Sequence, residues 1–261
     1  MNRPALDYYG GKWKHAGKII AEFSEHKTFV DVFCGAASIT LRKPRSKNEI
    51  INDINGEVVG FFKILRDHNS ELKTLLEKTP YSRDEYLACR EFSDNEMEQA
   101  RRSVVKAWFG IGDSLDNKTG FRVSLSQGGS TTAPWLTYVD YLHTYANRLR
   151  GVIIENLDYT EILERYDKED TLFYLDPPYS KELRSKKHAY RFDWDLADHE
   201  RLFAKIANLK GQFILSGYLS GPYSELKYFR KQFTARTNSN TKSQEEYLWS
   251  NRPFQTPTTK G

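Results

Sequence analysis

The side chains best suited to chemistry fall in "LDPPYS", residues 175 to 180. Pro177 and Pro178 have no N–H and a fixed φ, so a strand that reaches Asp176 must leave its sheet there in a stiffened turn. The Asp176 carboxylate and the Pro177 carbonyl then lie side by side as hydrogen-bond acceptors. Two such acceptors can take both hydrogens of a nucleobase amino group. That draws the nitrogen toward tetrahedral geometry and frees a lone pair otherwise delocalised into the ring. The same acceptors stabilise the positive charge that grows as the nitrogen attacks. Tyr179 supplies a ring to stack on the base. A base in a duplex must first be extruded, at a cost of about a few kcal/mol. An ordinary Pro-Pro turn explains the prolines but neither the acid nor the ring.

Two further groups point to a cofactor. "DVFCGAAS", residues 31 to 38, joins an acid to a turn of small residues where backbone can approach a ligand; Asp31, Phe33, Gly35 and Ser38 are the candidate contacts. It lacks the GxGxxG spacing, so a dinucleotide pyrophosphate fits poorly. Asp53 ends the next apolar run, "EIIND", about 20 residues on, where an acid can bind both hydroxyls of a ribose. An adenosine-type cofactor satisfies both features. In "YYGGK", residues 8 to 12, Gly10 and Gly11 allow close backbone approach while Lys12 offers an ammonium to a carboxylate; an isolated GGK is more often a loose turn.

These groups need a sheet to hold them. Residues 28 to 33, 49 to 53, 151 to 156, 171 to 175 and 211 to 218 read as short apolar strands, with Asp31 near the end of the first, Asp53 ending the second and Asp176 directly after the fourth. Helical spacing follows at Val58, Phe61, Phe62 and Leu65, and near residues 196 to 208. Residues 228 to 250 read as closing antiparallel strands and the ending "TPTTKG" as disordered. The rhythm is that of an α/β sheet with ligands at the carboxyl ends of its strands. It is interrupted from about 71 to 150 by amphipathic helices (71 to 109) and a long polar loop (110 to 134), where recognition is expected; Tyr81, Trp108 and Trp135 are read as core.

Composition adds limits. At 261 residues the chain can bury a full core, and 39 Lys plus Arg against 35 Asp plus Glu leaves a net charge of +4, so any nucleic-acid surface must come from local clustering. Two cysteines, Cys34 and Cys89, have neither metal-ligand spacing nor a disulfide framework, which points to a reducing compartment. No metal, membrane segment or signal peptide is expected, and a cytoplasmic chain is.

"YYGGK", "DVFCGAAS", "NDIN" and "DPPY", in that order with a helical insertion before the last, resemble the DNA adenine methylase (Dam) family of N6-adenine methyltransferases, as does the ending "SQEEYLWSN". The resemblance implies a Rossmann-like S-adenosylmethionine-dependent fold, with residues 1–70 and 151–261 as catalytic domain and 71–150 as a mainly helical target-recognition insertion. It implies S-adenosyl-L-methionine as cofactor, double-stranded DNA as partner, a monomer, and a bacterial cytoplasmic setting, host or phage. It also carries cofactor contacts over to Tyr8, Lys12, Asp53 and Asp176. Val32 stands where the family's first loop has proline, and Ala37 where it has its last glycine. Asp176 then acts as acceptor and orienter of the amine, not as a strong base. Lys181, Arg184, Lys186, Lys187 and Arg191, which follow "DPPY", are candidate phosphate contacts; Lys118, Arg122 and Gln127 are candidates to read base edges. The same chemistry would serve cytosine N4, an RNA or a glutamine amide, and a catalytically silent DNA-binding regulator could retain the fold.

Overall fold

The structure is a computed structural model and describes residues 3–8, 10–111, 120–123, 132–178, 194–234 and 245–255. Its strands are β1 (Thr28–Asp31), β2 (Asn48–Asn52), β3 (Ile153–Glu155), β4 (Thr171–Leu175), β5 (Gln212–Tyr218), β6 (Phe229–Thr234) and β7 (Glu245–Ser250). Its helices are α1 (Ala16–Ile20), α2 (Ser38–Arg42), α3 (Gly56–Asp67), α4 (Asn69–Glu77), α5 (Arg83–Ala88), α6 (Glu96–Phe109), α7 (Ala133–Leu149), α8 (Tyr159–Tyr166) and α9 (Leu196–Ile206). The sheet order is β3-β2-β1-β4-β5-β7-β6. β1 to β5 pair in parallel, and β7 runs antiparallel between β5 and β6. This is a Rossmann-like, doubly wound sheet.

The strands form because both of their faces are covered. Every residue of β1 and β4 is buried. Phe29, Leu172, Tyr174 and Ile214 pack toward Ala16, Ile19 and Ile39 of α1 and α2. Val30, Phe173, Leu175, Phe213 and Leu215 point the other way, against Ile162, Leu163, Leu202 and Ile206 of α8 and α9. The chain runs outward from β1 through β2 to β3, then returns to β4 beside β1. That reversal leaves a crevice at the carboxyl ends of β1 and β4, the ligand position in open α/β sheets.

α4 to α7 share a single core with α3 and the N-terminal segment, in which Phe61 and Phe62 meet Val104, Trp108, Tyr138, Leu142 and Leu6. The Trp108 and Tyr138 rings lie 4.6 Å apart, and Trp135 is buried in the same cluster with Tyr81 packed against it. Tyr138 and Tyr145 donate to the carbonyls of Ala5 and Arg3 at 2.6 and 2.8 Å, which ties the segment leading to Tyr8 onto α7. Buried Glu49 accepts from Lys43 at 2.8 Å and from Arg148 at 2.6 Å, joining β2 to α7. Burial alone would raise its carboxyl, but the bonds from Arg148 and Lys43 outweigh that and hold it below the ordinary range.

The expected strands are present with shifted ends: the first stops at Asp31, where Val32 and Phe33 begin the turn, and the third spans only Ile153–Glu155. The reading of residues 110 to 134 as a loop falls largely outside the described residues, as does "TPTTKG". Within its described part, Gly110 and Phe121 form an antiparallel bridge. α7 was not anticipated, although Trp135, Tyr138, Val139, Leu142, Tyr145, Ala146 and Leu149 carry helical spacing. Among the described residues, no helix is long and apolar enough to cross a membrane.

Candidate active site

Every residue read as a cofactor contact lines one cleft of about 550 Å³ at the carboxyl ends of β1, β2 and β4: Tyr8, Gly10, Gly11, Lys12, Asp31, Phe33, Gly35, Ser38, Asp53 and Asp176. That volume is within the ordinary range for small-molecule sites. Two segments far apart in sequence interlock at its floor. Gly35 has φ 46°, and a Cβ there would stand 3.0 Å from Tyr8 Cδ1. A Cβ at Gly11 would stand 3.0 Å from the Tyr8 carbonyl oxygen. Ala37 adopts the left-handed conformation (φ 49°), so the alanine takes the backbone angle a glycine would take more easily.

Asp53 follows β2, and its carboxylate is aimed by two backbone N–H groups: Gly35 donates to Oδ2 and Asn55 to Oδ1, both at 2.9 Å. A carboxylate has about four acceptor positions, so these bonds orient it without saturating it. Asp31 is buried and accepts from Thr40 Oγ1 at 2.8 Å. Burial above all, opposed by Thr40 and reinforced by the Asp176 and Asp53 charges, pushes its carboxyl up to about 7. The Ser38 hydroxyl is buried in the cleft wall with no hydrogen-bond partner among the described residues. A Cβ on Gly11 would stand 3.9 Å from it.

Asp176 leaves β4 where the prolines begin. Ser216 of β5 donates to its Oδ1 at 2.8 Å, and Lys12 Nζ lies 3.0 Å from its Oδ2. Lys12, read from the sequence as a clamp for a cofactor carboxylate, is buried, with its ammonium against Asp176 and 3.3 Å from the Gly10 carbonyl. Pro178 lines the cleft, and Pro177 is buried beside it. Tyr179 lies outside the described residues, as do Lys118, Gln127, Lys181, Arg184, Lys186, Lys187 and Arg191. Arg122 is described: its Nε donates to the Gly110 carbonyl at 2.9 Å and its guanidinium lies 3.7 Å from Asp7. These contacts join Arg122 to Gly110 and to the N-terminal segment.

Sequence reasoning missed the third strand's contribution. Leu157, Asp158, Tyr159 and Thr160, directly after β3, line the cleft, as does Trp194. Asn52 sets them in place, donating to the Val32 and Leu157 carbonyls at 3.0 and 3.1 Å and accepting from Leu157 N at 2.9 Å. Phe33, Tyr159 and Trp194 form an aromatic cluster with centroids 5.3 to 5.8 Å apart. The signal was available in "IIENLDYT", another strand running into an acid, the pattern that flagged Asp53 and Asp176.

No curated protein matches the chain. The rRNA methyltransferase aviRa from Streptomyces viridochromogenes, solved at 2.4 Å, is similar at 11% identity and a TM-score of 0.40, over 90% of this chain and 81% of that one. A family model described as D12 class N6 adenine-specific DNA methyltransferase matches residues 8–248, a span that holds the glycine turn at one end of the cleft, the Asp176 turn, and all seven strands except the last two residues of β7. The chain therefore belongs to the D12 class of N6 adenine-specific DNA methyltransferases, S-adenosylmethionine-dependent enzymes that methylate adenine N6 in DNA.

Proposed function

We propose that the cleft binds S-adenosylmethionine between Asp53 and Ser38 and presents to Asp176 an adenine flipped out of double-stranded DNA. The observation that carries this reading is the shared cleft: the oriented Asp53 carboxylate, the orphaned Ser38 hydroxyl and Asp176 line the same cavity. Asp53 suits two ribose hydroxyls. The aromatic cluster of Phe33, Tyr159 and Trp194, with Asp158 beside it, suits an adenine ring and its amino group. The Ser38 hydroxyl and the open backbone at Gly11 suit a carboxylate.

The cofactor, when bound, supplies a methyl group made electrophilic by its sulfonium. Asp176 and the Pro177 carbonyl would accept the two hydrogens of the adenine amine and free its lone pair toward the methyl group, with the S–CH3 bond breaking as the N–CH3 bond forms and the thioether as leaving group. Ser216 and Lys12 hold the carboxylate in one orientation, so the acceptor is in place before the charge develops. The surplus N6 proton leaves after transfer. Tyr179 stacks on the flipped base; Lys181, Arg184, Lys186, Lys187 and Arg191 contact phosphates; and residues 71–150, with Lys118, Arg122 and Gln127, recognise the target sequence. The enzyme acts as a cytoplasmic monomer.

The test is methyl transfer from labelled S-adenosylmethionine to unmethylated duplex DNA, with nucleoside analysis and 2-aminopurine at the target position. Expected are N6-methyladenine, a rise in 2-aminopurine fluorescence on binding, and a rise in cofactor Kd of about tenfold or more in Asp53→Ala. Unchanged cofactor affinity in that variant would refute the cofactor placement, and label on cytosine alone would refute the acceptor.

A further inference from the structure

Glu246 of β7 occupies a place beside the reacting carboxylate that the mechanism so far leaves unused. It is 6% exposed and its Oε1 lies 3.8 Å from Lys12 Nζ, the same ammonium that stands 3.0 Å from Asp176. Tyr218, its cross-strand partner on β5, hydrogen bonds to it, and its Oε2 is buried with no hydrogen-bond partner among the described residues. Burial raises its carboxyl above the ordinary range, with Lys12 opposing and Asp176 adding to the rise. A second buried carboxylate beside one that Lys12 already neutralises is unfavourable for folding alone, and an amide would fill the same position more cheaply.

The charge count supplies a reason. Lys12 with Asp176 alone is a neutral pair. Adding Glu246 makes the cluster net negative, directly behind the group that meets an amine turning positive. We propose that Glu246 is a positioning residue for methyl transfer: it shares the Lys12 ammonium with Asp176, and so leaves Asp176 the net negative charge that the attacking amine requires. The proposal rests on Asp176 being the acceptor of that amine. It assigns Glu246 an effect on the transition state and little on substrate binding, because a neutral ground-state amine gains little from that net negative charge, which acts once the amine becomes cationic.

The experiment compares steady-state and single-turnover methyl transfer for Glu246→Gln, Glu246→Asp and Asp176→Asn, normalised to folded enzyme. Glu246→Gln is expected to lower kcat by about ten- to a hundredfold while KM for DNA and for S-adenosylmethionine stays within about twofold. Glu246→Asp, which keeps the charge, should recover part of the loss. A wild-type kcat in Glu246→Gln beside an inactive Asp176→Asn overturns this proposal and leaves the role of Asp176 standing. Full activity in Asp176→Asn removes the reading beneath it. A loss confined to KM, or to the folded fraction, also overturns it. Should Glu246→Gln not fold, the pair Glu246→Asp and Glu246→Asn decides the matter: a kcat lower in Glu246→Asn than in Glu246→Asp at unchanged KM supports the proposal, and an equal kcat in the two overturns it.

Discussion

Glu98, on α6 among the helices between β2 and β3, accepts hydrogen bonds from Arg101 and, against the effect of burial, from Arg102, and its carboxyl is held down at about 2. Asp31, in the cleft, is driven the other way, to about 7, by burial above all and by the neighbouring Asp176 and Asp53, with only Thr40 opposing. The same contrast recurs between Glu49, locked under Lys43 and Arg148, and Glu246, raised by burial beside a lysine it shares. Glu98 and Glu49 are matched by cations within the chain and serve to fasten helices. Asp31 and Glu246 are instead raised by burial, a pattern expected of a functional site more than of scaffold.

Changes on the two sides should therefore fail differently. The largest effect expected is that of Asp176→Asn, which should lower kcat by about a thousandfold or more with little change in Tm, since Lys12 keeps Glu246 nearby. Parallel rate and melting measurements test this, and a large drop in Tm would place Asp176 with the fastening acids. Glu49→Ala should do the opposite, losing about 3–5 kcal/mol in urea unfolding because Lys43 and Arg148 stay buried without their carboxylate, while methyl transfer per folded molecule is retained. A loss below about 1 kcal/mol would show that solvent screens the network.

Asp31 gives the comparison a pH axis. Its unfolded-state value is 3.8 and its folded value about 7, so the native state prefers the protonated acid. That preference is fully present below the unfolded value and is lost as pH rises through 7. Asp31→Asn removes the titration, and the variant should gain on the wild type by on the order of 2–4 kcal/mol at pH 8 relative to pH 4. Unfolding curves at both pH values decide it, and a difference that does not change with pH would sink the idea. The smallest effect is at Ala37: Ala37→Gly relieves a left-handed alanine but adds unfolded-state entropy and removes a buried methyl, so stability should stay within about 1 kcal/mol. A larger gain would mean that the turn is more strained than its φ indicates.

Most of the cleft was legible in the sequence because its parts are punctuation. Acids at the ends of apolar runs, small residues in a turn, and two prolines after Asp176 are local features whose consequences need no knowledge of the rest of the chain. Asp158 and Tyr159 follow the same rule and could have been read by it. α7 was hidden differently, since its aromatic positions read equally well as scattered core until the partners that cover them are known. The Lys12 pairing was not legible: a lysine after two glycines shows a cation near a turn, but not which of several acids it meets.

The order and composition of the chain thus determined the parallel strands and the sharp exit of the chain at Asp176, because backbone sterics and the loss of an N–H at proline act within a few residues. Only the tertiary structure decided which charges face each other. The sheet order sets β7 beside β5, which carries Glu246 to Lys12 across more than two hundred residues, and interlocks Tyr8 with Gly35. Electrostatics at the site depends on distances and burial that exist only once the sheet has closed, so residue type alone could not say which acid is held low and which is raised.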